Sequence, residues 1–326
     1  MTIFNQIYTM NPFDYDYQVI DNFLNENEFS GESVLTLNKN VIGILPERLK
    51  LFTWLKTLKV KGCGLDTLDN LPPFLENLDA SNNKIIEIAK DQLPITLLYF
   101  DISLNDLTSL CLPDQIVSVD ASHNKISSFD DTPSCLTEIN LCNNKLSKMP
   151  KFKEGLIKLE ISRNPLESID DAPQSLVEFD CSMCEIKHIR KLPSKLQSLY
   201  AFYNKLEYVM YFPNTLLEAD LSNNSLVWIP DYPPIIEKLD ISSNELKCLR
   251  VNKIPPSLQD FDISGNKLDK SKIDLIAKYG ISEFKYDEEI DDNENLNKNT
   301  NETWRNTVYN SNNNNGYRNY NYNNKL

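Results

Sequence analysis

The chain has 326 residues, 41% of them hydrophobic, and a formal net charge of −14 at pH 7. Such an acidic balance argues against general nucleic-acid binding, which needs a basic face, and no run of eighteen or more apolar residues offers a membrane span. Length alone would fit two domains, but an internal repeat runs through most of the chain and favours one elongated domain.

The first twenty residues, Met1 to Ile20, carry acidic residues and tyrosines with no basic n-region ahead of an apolar core, so no secretory signal is expected. Residues 1–30 read as an N-terminal cap. Within Pro12 to Phe29, the residues Val19, Ile20, Phe23 and Leu24 give one helical face.

From residue 31 to 268 one frame recurs about every twenty residues. Its fixed member is an asparagine: Asn83, Asn105, Asn124, Asn144, Asn164, Asn204, Asn224, Asn244 and Asn266, with Cys184 filling the one gap. Upstream, Cys63 and Asn40 hold the same place, although Glu32 breaks the first apolar slot of the Asn40 unit, making twelve repeats. Apolar residues stand eight, five and three positions before this ladder residue and two and five after it; around Asn144 they are Leu136, Ile139, Leu141, Leu146 and Met149. A period of this length marks a solenoid. The segment before each ladder residue alternates, as in Leu159-Glu160-Ile161-Ser162, and predicts a short strand with one face in the core and the other on a concave surface. The ladder amide both donates and accepts, so it can satisfy buried backbone groups of neighbouring repeats.

The unit L-x-x-L-D-x-S-x-N-x-L-x-x-I resembles the leucine-rich repeat. Proline stands eleven positions before the ladder residue in nine repeats, for example Pro94, Pro173 and Pro233, with Lys153 as the exception among the later ones. Proline opposes a helix interior, and twenty residues leave little room for one, so the convex side is expected to be extended or 3₁₀. With these prolines the pattern is similar to the short repeats of bacterial effectors delivered into host cells, and to repeat proteins of amoebae and the large DNA viruses that infect them. That resemblance implies a leucine-rich-repeat solenoid, α/β by convention but mostly parallel β, with helical caps.

After Leu268 the frame fails. Residues 269–286 read as a C-terminal cap: Ser271 and Asp274 as a capping pair, Ile273, Ile276 and Tyr279 on one helical face, Gly280 ending the helix, and Ile281 to Tyr286 as a last strand. Residues 287–326 turn acidic and then asparagine-rich, and are expected to be disordered.

Chemistry is scarce in this frame. Seven scattered cysteines, at 63, 111, 135, 142, 181, 184 and 248, read as reduced thiols of a cytoplasmic compartment. Cys181-Ser182-Met183-Cys184 is a C-x-x-C, but Cys181 fills an apolar slot and Cys184 the ladder slot, which makes the pair structural. His123 and His188 lie more than three repeats apart at different frame positions. No phosphate loop or nucleophile motif occurs, so neither an enzyme nor a cofactor or metal site is expected. Some bacterial relatives of this repeat type carry a ubiquitin-ligase domain with a catalytic cysteine, whereas here no cysteine follows residue 248.

Two surface features remain. Four positions before the ladder stand Asp79, Asp101, Asp120, Glu160, Asp180, Asp220, Asp240 and Asp262, and across the positions six, four and two before it acids outnumber lysines twelve to four. These carboxylates either organise the strand end together with the following serine or form a negative strip that attracts a basic partner. One repeat departs from the rule. Tyr200 and Phe202 replace Asp and Ser and are followed by Tyr203, with Asp180 and Asp220 on either side and Met183 as the nearest apolar neighbour. Exposed aromatic clusters typically anchor protein interfaces, whereas Tyr208, Tyr211 and Phe212, on the convex half, are expected to pack locally. The leading reading is a non-enzymatic module that binds a basic protein surface on its concave face, with neither nucleic acid nor membrane as partner. A self-assembling scaffold and an effector-like host-interaction protein, acting in host-cell cytoplasm, stay open as alternatives, and the oligomeric state is not legible.

Overall fold

The computed structural model describes residues 33–37, 43–89, 91–129 and 132–287. The N-terminal cap, Glu32, the Asn40 ladder position and residues 288–326 lie outside the described residues. Everything described belongs to a single compact unit that ends at Asp287.

Each repeat contributes one three-residue strand, set six to four positions before its ladder residue. In chain order these are β1 (Val34–Thr36), β2 (Thr57–Lys59), β3 (Asn77–Asp79), β4 (Tyr99–Asp101), β5 (Ser118–Asp120), β6 (Glu138–Asn140), β7 (Lys158–Glu160) and β8 (Glu178–Asp180), then β10 (Ser198–Tyr200), β12 (Glu218–Asp220), β13 (Lys238–Asp240) and β14 (Asp260–Asp262). With a last strand, β15 (Glu283–Lys285), they form one thirteen-stranded parallel sheet among the described residues. Neighbours pair in register, so the middle residue of every strand stacks on its equivalent, as in Leu159↔Phe179 and Phe179↔Leu199. These middle residues are buried and the residues either side face solvent, the period-two pattern of a strand with one wet face.

Among the described residues the return legs contain no α-helix. Seven of the prolines open tight turns, each carbonyl accepting from the N–H three residues on: Pro94 from Leu97, Pro113 from Ile116, Pro173 from Leu176, Pro193 from Leu196, Pro213 from Leu216, Pro233 from Ile236 and Pro255 from Leu258, at 3.1–3.4 Å. Otherwise these legs hold two short 3₁₀ segments, Glu47–Leu51 and Val251–Lys253, and a two-stranded parallel sheet of β9 (His188–Ile189) with β11 (Tyr208–Val209). The chain is therefore a leucine-rich-repeat solenoid with an extended and 3₁₀ return side.

Repeats are fastened to one another by the ladder asparagines. Asn144 Nδ2 donates to the carbonyls of Leu141 in its own repeat and Ala121 in the one before, both at 3.0 Å, and its Oδ1 accepts from Ile126 N–H at 2.9 Å. Asn164 and Asn244 repeat this set. At Cys184 the Sγ donates to Ile161 O at 3.6 Å, a longer contact than the amide makes.

The helix α1 (Lys270–Ala277) and β15 follow the last repeat. The N-cap is Asp269 rather than Ser271, which falls inside the first turn, and Asp274 lies within the helix, so the two do not form a capping pair. The chain enters the helix one turn-position earlier because the carbonyl of Asp269 already accepts from Lys272 and Ile273 N–H. Ile276 is buried and Ile273 packs on the core, while Tyr279 is 46% exposed and so leaves the apolar face. Gly280 takes φ +71° just beyond the helix, a conformation that glycine adopts without strain. Phe284 of β15 packs against Phe261 of β14 with ring centroids 6.1 Å apart.

Candidate functional site

The wet face of the long sheet is lined by the residues six, four and two positions before each ladder residue. Most of its carboxylates have a local task. Oδ1 of Asp79, Asp101, Asp180, Asp220, Asp240 and Asp262 accepts from both the N–H and the hydroxyl of the serine two residues on, the hydroxyl contacts being 2.6–2.7 Å. This is an Asx turn that ends the strand. Asn140 does the same for Cys142 N–H at 2.9 Å, so the turn needs the oxygen and not the charge. Desolvation by burial raises the pKa of Asp120, Asp180 and Asp240, and hydrogen bonds from Ser122, Ser182 and Ser242 oppose it.

The residue just before the ladder residue lies in the left-handed region in every repeat from Gly62 to Gly265. It is Leu104 at φ 56°, Met183 at φ 52° and Tyr203 at φ 51°. This turn passes the chain from the sheet face into the core and leaves the side chain at the rim. Tyr203 is 56% exposed there.

In the Tyr200 repeat the Asx turn is absent and rings take its place. Tyr200, half-buried, stands in register between Asp180 and Asp220. Phe202 is half-buried and meets Tyr203 edge-on, centroids 6.0 Å apart and planes at 75°. Met183 occupies the equivalent rim position one repeat earlier, its N–H donating to Phe202 O at 2.8 Å. The backbone beneath is clamped from two repeats, because Ala201 O accepts from both Asn204 Nδ2 and Asn224 Nδ2 at 3.0 Å. Tyr200, Phe202, Tyr203 and Met183 thus form one aromatic cluster, on a rigid base, in a face whose other members are mostly acids and serines with a few lysines, such as Lys158 and Lys238, and one further exposed ring, Tyr99.

The buried cysteines, Cys63, Cys181 and Cys184, fit packing. All seven cysteines are free. Burial pushes the Cys184 thiol up to about 11 and the Cys181 thiol well above its ordinary value, so both are neutral, weakly nucleophilic thiols at pH 7. Among the described residues no group of three or more His, Cys, Asp or Glu is placed to hold a metal ion. No helix among them is long and apolar enough to cross a membrane. His123 hydrogen-bonds Asn143 at 2.8 Å, remote from His188.

A second cluster lies on the return side. His188 and Tyr208 stack with centroids 4.4 Å apart, each standing four positions after its ladder residue, and Trp228 holds that place in the next repeat, 39% exposed. Beside them a cleft of about 200 Å³ is lined by Glu167, Ser168, Glu185, Lys187, His188, Arg190 and Lys205. Its charges are largely spent on each other and their neighbours, Lys205 pairing with Glu185 and Arg190 with Asp170. Of the three return-side aromatics expected to pack locally, Tyr208 stacks and Phe212 is buried, but Tyr211 is 45% exposed because its position follows the end of β11 and faces out. Comparing equal positions in successive repeats would have revealed this column.

No protein-family model and no curated protein matches the chain. Solved structures do. YopM from Yersinia enterocolitica WA-314 is 33% identical, with a TM-score of 0.67 over 72% of this chain and 52% of that one. The present chain thus spans about half the length of that relative. YopM from Yersinia pestis, described as a leucine-rich effector protein, is 22% identical with a TM-score of 0.53, over 84% of this chain and 93% of that one. A chain of the LRIM1/APL1C complex is 23% identical with a TM-score of 0.67, over 78% and 51%. The fold and these likenesses together define a leucine-rich-repeat protein. Its short repeats are similar to those of the bacterial effector type.

Proposed function

We propose that this chain is a non-enzymatic protein-binding module whose partner lies along the wet face of the long sheet. Tyr200, Phe202 and Tyr203 anchor that partner, Met183 extends the apolar contact, and Asp180 and Asp220 flank it. The observation that carries this reading is the aromatic break itself: adjacent rings, held on a doubly clamped backbone, where most repeats carry an Asp–Ser pair. Buried anchors of this composition dominate interface energies, and solenoids present extended surfaces of this kind to partners. The surrounding acids favour a basic partner surface and act mostly on encounter rate, because exposed charge is screened by salt. A cytoplasmic setting agrees with seven free thiols.

The likeness to YopM favours an effector-like host interaction as the second reading. Affinity capture separates the outcomes when wild-type chain is compared with Tyr200→Ala/Phe202→Ala in extract of the native host. The expected result is a protein recovered by wild type and lost from a double variant whose circular dichroism is unchanged. Equal recovery by both places the partner on another surface and removes the anchor.

A further inference from the structure

The row of residues six positions before the ladder shows a pattern of charge that the strand register makes physical. From β6 to β14 it runs Glu138, Lys158, Glu178, Ser198, Glu218, Lys238 and Asp260, each directly beside the next. Acid alternates with lysine along neighbouring strands except at Ser198, where a small neutral residue stands between two glutamates.

The same row shows how a cation is held when one is present. Lys158 Nζ reaches Glu178 at 3.4 Å across the strand and Glu160 at 3.1 Å along its own strand. At the far end Lys285 reaches Asp260 at 3.7 Å. The Ser198 place offers the same surroundings without the cation. Glu178 and Glu218 lie on strands about 10 Å apart, twice the inter-strand spacing, with only a hydroxymethyl group between. Along the strand the residue two positions on is Tyr200 in place of an acid. Among the described residues no cation lies within ion-pairing distance of Glu218, and Glu178 keeps a side chain 53% exposed.

We propose that this slot receives an arginine side chain from the protein partner, with the guanidinium over Ser198 between Glu178 and Glu218 and its flat face or stem against the Tyr200 ring. The inference rests on the binding reading above and adds the chemistry that the partner must bring. Charge complementarity selects a cation. The planar fork matches two carboxylates and stacks on an aromatic face, which a lysine ammonium does less well.

The test uses the full chain and two small probes, N-acetyl-arginine amide and its neutral isostere N-acetyl-citrulline amide, followed by backbone amide NMR. Arginine amide is expected to shift Ser198, Tyr200, Glu178 and Glu218 saturably, and citrulline amide at least about fivefold more weakly, in keeping with two partly exposed ion pairs. Glu178→Gln/Glu218→Gln should weaken the arginine response by a similar factor. Ser198→Lys, which supplies the missing cation from this chain, should abolish it with the rest of the spectrum intact. Equal responses to both probes, a response centred on Asp220, Asp240 and Asp262, or one that survives Ser198→Lys overturns the slot. A protein partner lost with Tyr200→Ala/Phe202→Ala but held at full affinity by Ser198→Lys also overturns the slot and leaves the binding module standing. An arginine response with no Tyr200-dependent partner supports the slot and sinks the wider reading.

Discussion

At the scale of single residues, the ladder amide carries the load between repeats. Asn144 serves three buried backbone groups, the carbonyls of Ala121 and Leu141 and the N–H of Ile126. Asn144→Ala leaves all three without that partner, at about 1–3 kcal/mol for each group left unsatisfied. A loss of about 3 kcal/mol or more in urea unfolding is expected, and a loss under about 1 kcal/mol would mean that water replaces the amide. Cys184 offers the converse experiment. At Cys184 the sulfur, a weaker acceptor than an amide oxygen, faces Leu166 N–H, the place where Asn164 Oδ1 meets Leu146 N–H at 2.9 Å. Cys184→Asn should stabilise by about 1 kcal/mol, and destabilisation would show that the sulfur is better packed there. The ladder role was legible in the sequence because an amide recurring inside an apolar frame must find backbone partners.

At the scale of elements, strands and turns follow from different signals, and only some of these are written as residue types. The strands were legible through the apolar frame, and the return legs through the prolines, which open turns as fixed-φ residues can. The left-handed position before each ladder residue was not legible, because asparagine, leucine, histidine, arginine, methionine, tyrosine, serine and glycine all occupy it. The neighbouring amide network dictates that backbone, and the side chain at the rim is left to vary. Gly265 is a special case. It has φ +65°, and an added Cβ would meet backbone atoms of Ser243 at 3.1 Å. Gly265→Ala should therefore cost about 1–2 kcal/mol from backbone strain and the close approach, while Asn223→Gly, at a member of the same column that already takes φ 55° with a side chain, should change stability by well under about 1 kcal/mol. Equal effects at the two positions would refute the close-approach argument. The start of α1 was misplaced from sequence because Ser271 and Asp274 have capping chemistry, but the turn is already formed from Asp269.

At the scale of the whole molecule, the sheet face joins local order to long-range charge. The sequence left open whether the Asp–Ser pairs were structural or attractive. Their hydrogen bonds give them a structural task, and the charge remains as an electrostatic surface. That surface has a cost with a definite sign. Burial raises Asp120, Asp180 and Asp240 above the ordinary carboxylate value near 3.9. The folded state therefore holds protons that the unfolded chain has released, so stability is favoured at low pH and lost as pH rises through the folded pKa values. The urea midpoint should fall as pH rises upward from about 4, the unfolded carboxylate value, and Asp120→Asn/Asp180→Asn/Asp240→Asn should flatten the slope while keeping the turns, as Asn140 does. A midpoint that rises over this range would contradict the assignment. The aromatic break was legible as a departure from the repeat, but the gap in the acid–lysine alternation at Ser198 was not, because that row exists only once the strands are set in register.

The central claim is that the partner lies on this sheet face at the Tyr200 repeat. Hydrogen–deuterium exchange of the full chain, with and without the captured partner, tests it most directly. The account predicts added protection over residues 198–204 and their neighbours 178–184 and 218–224. Protection confined to the return legs around His188, Tyr208 and Trp228, with the sheet face unchanged, would contradict it.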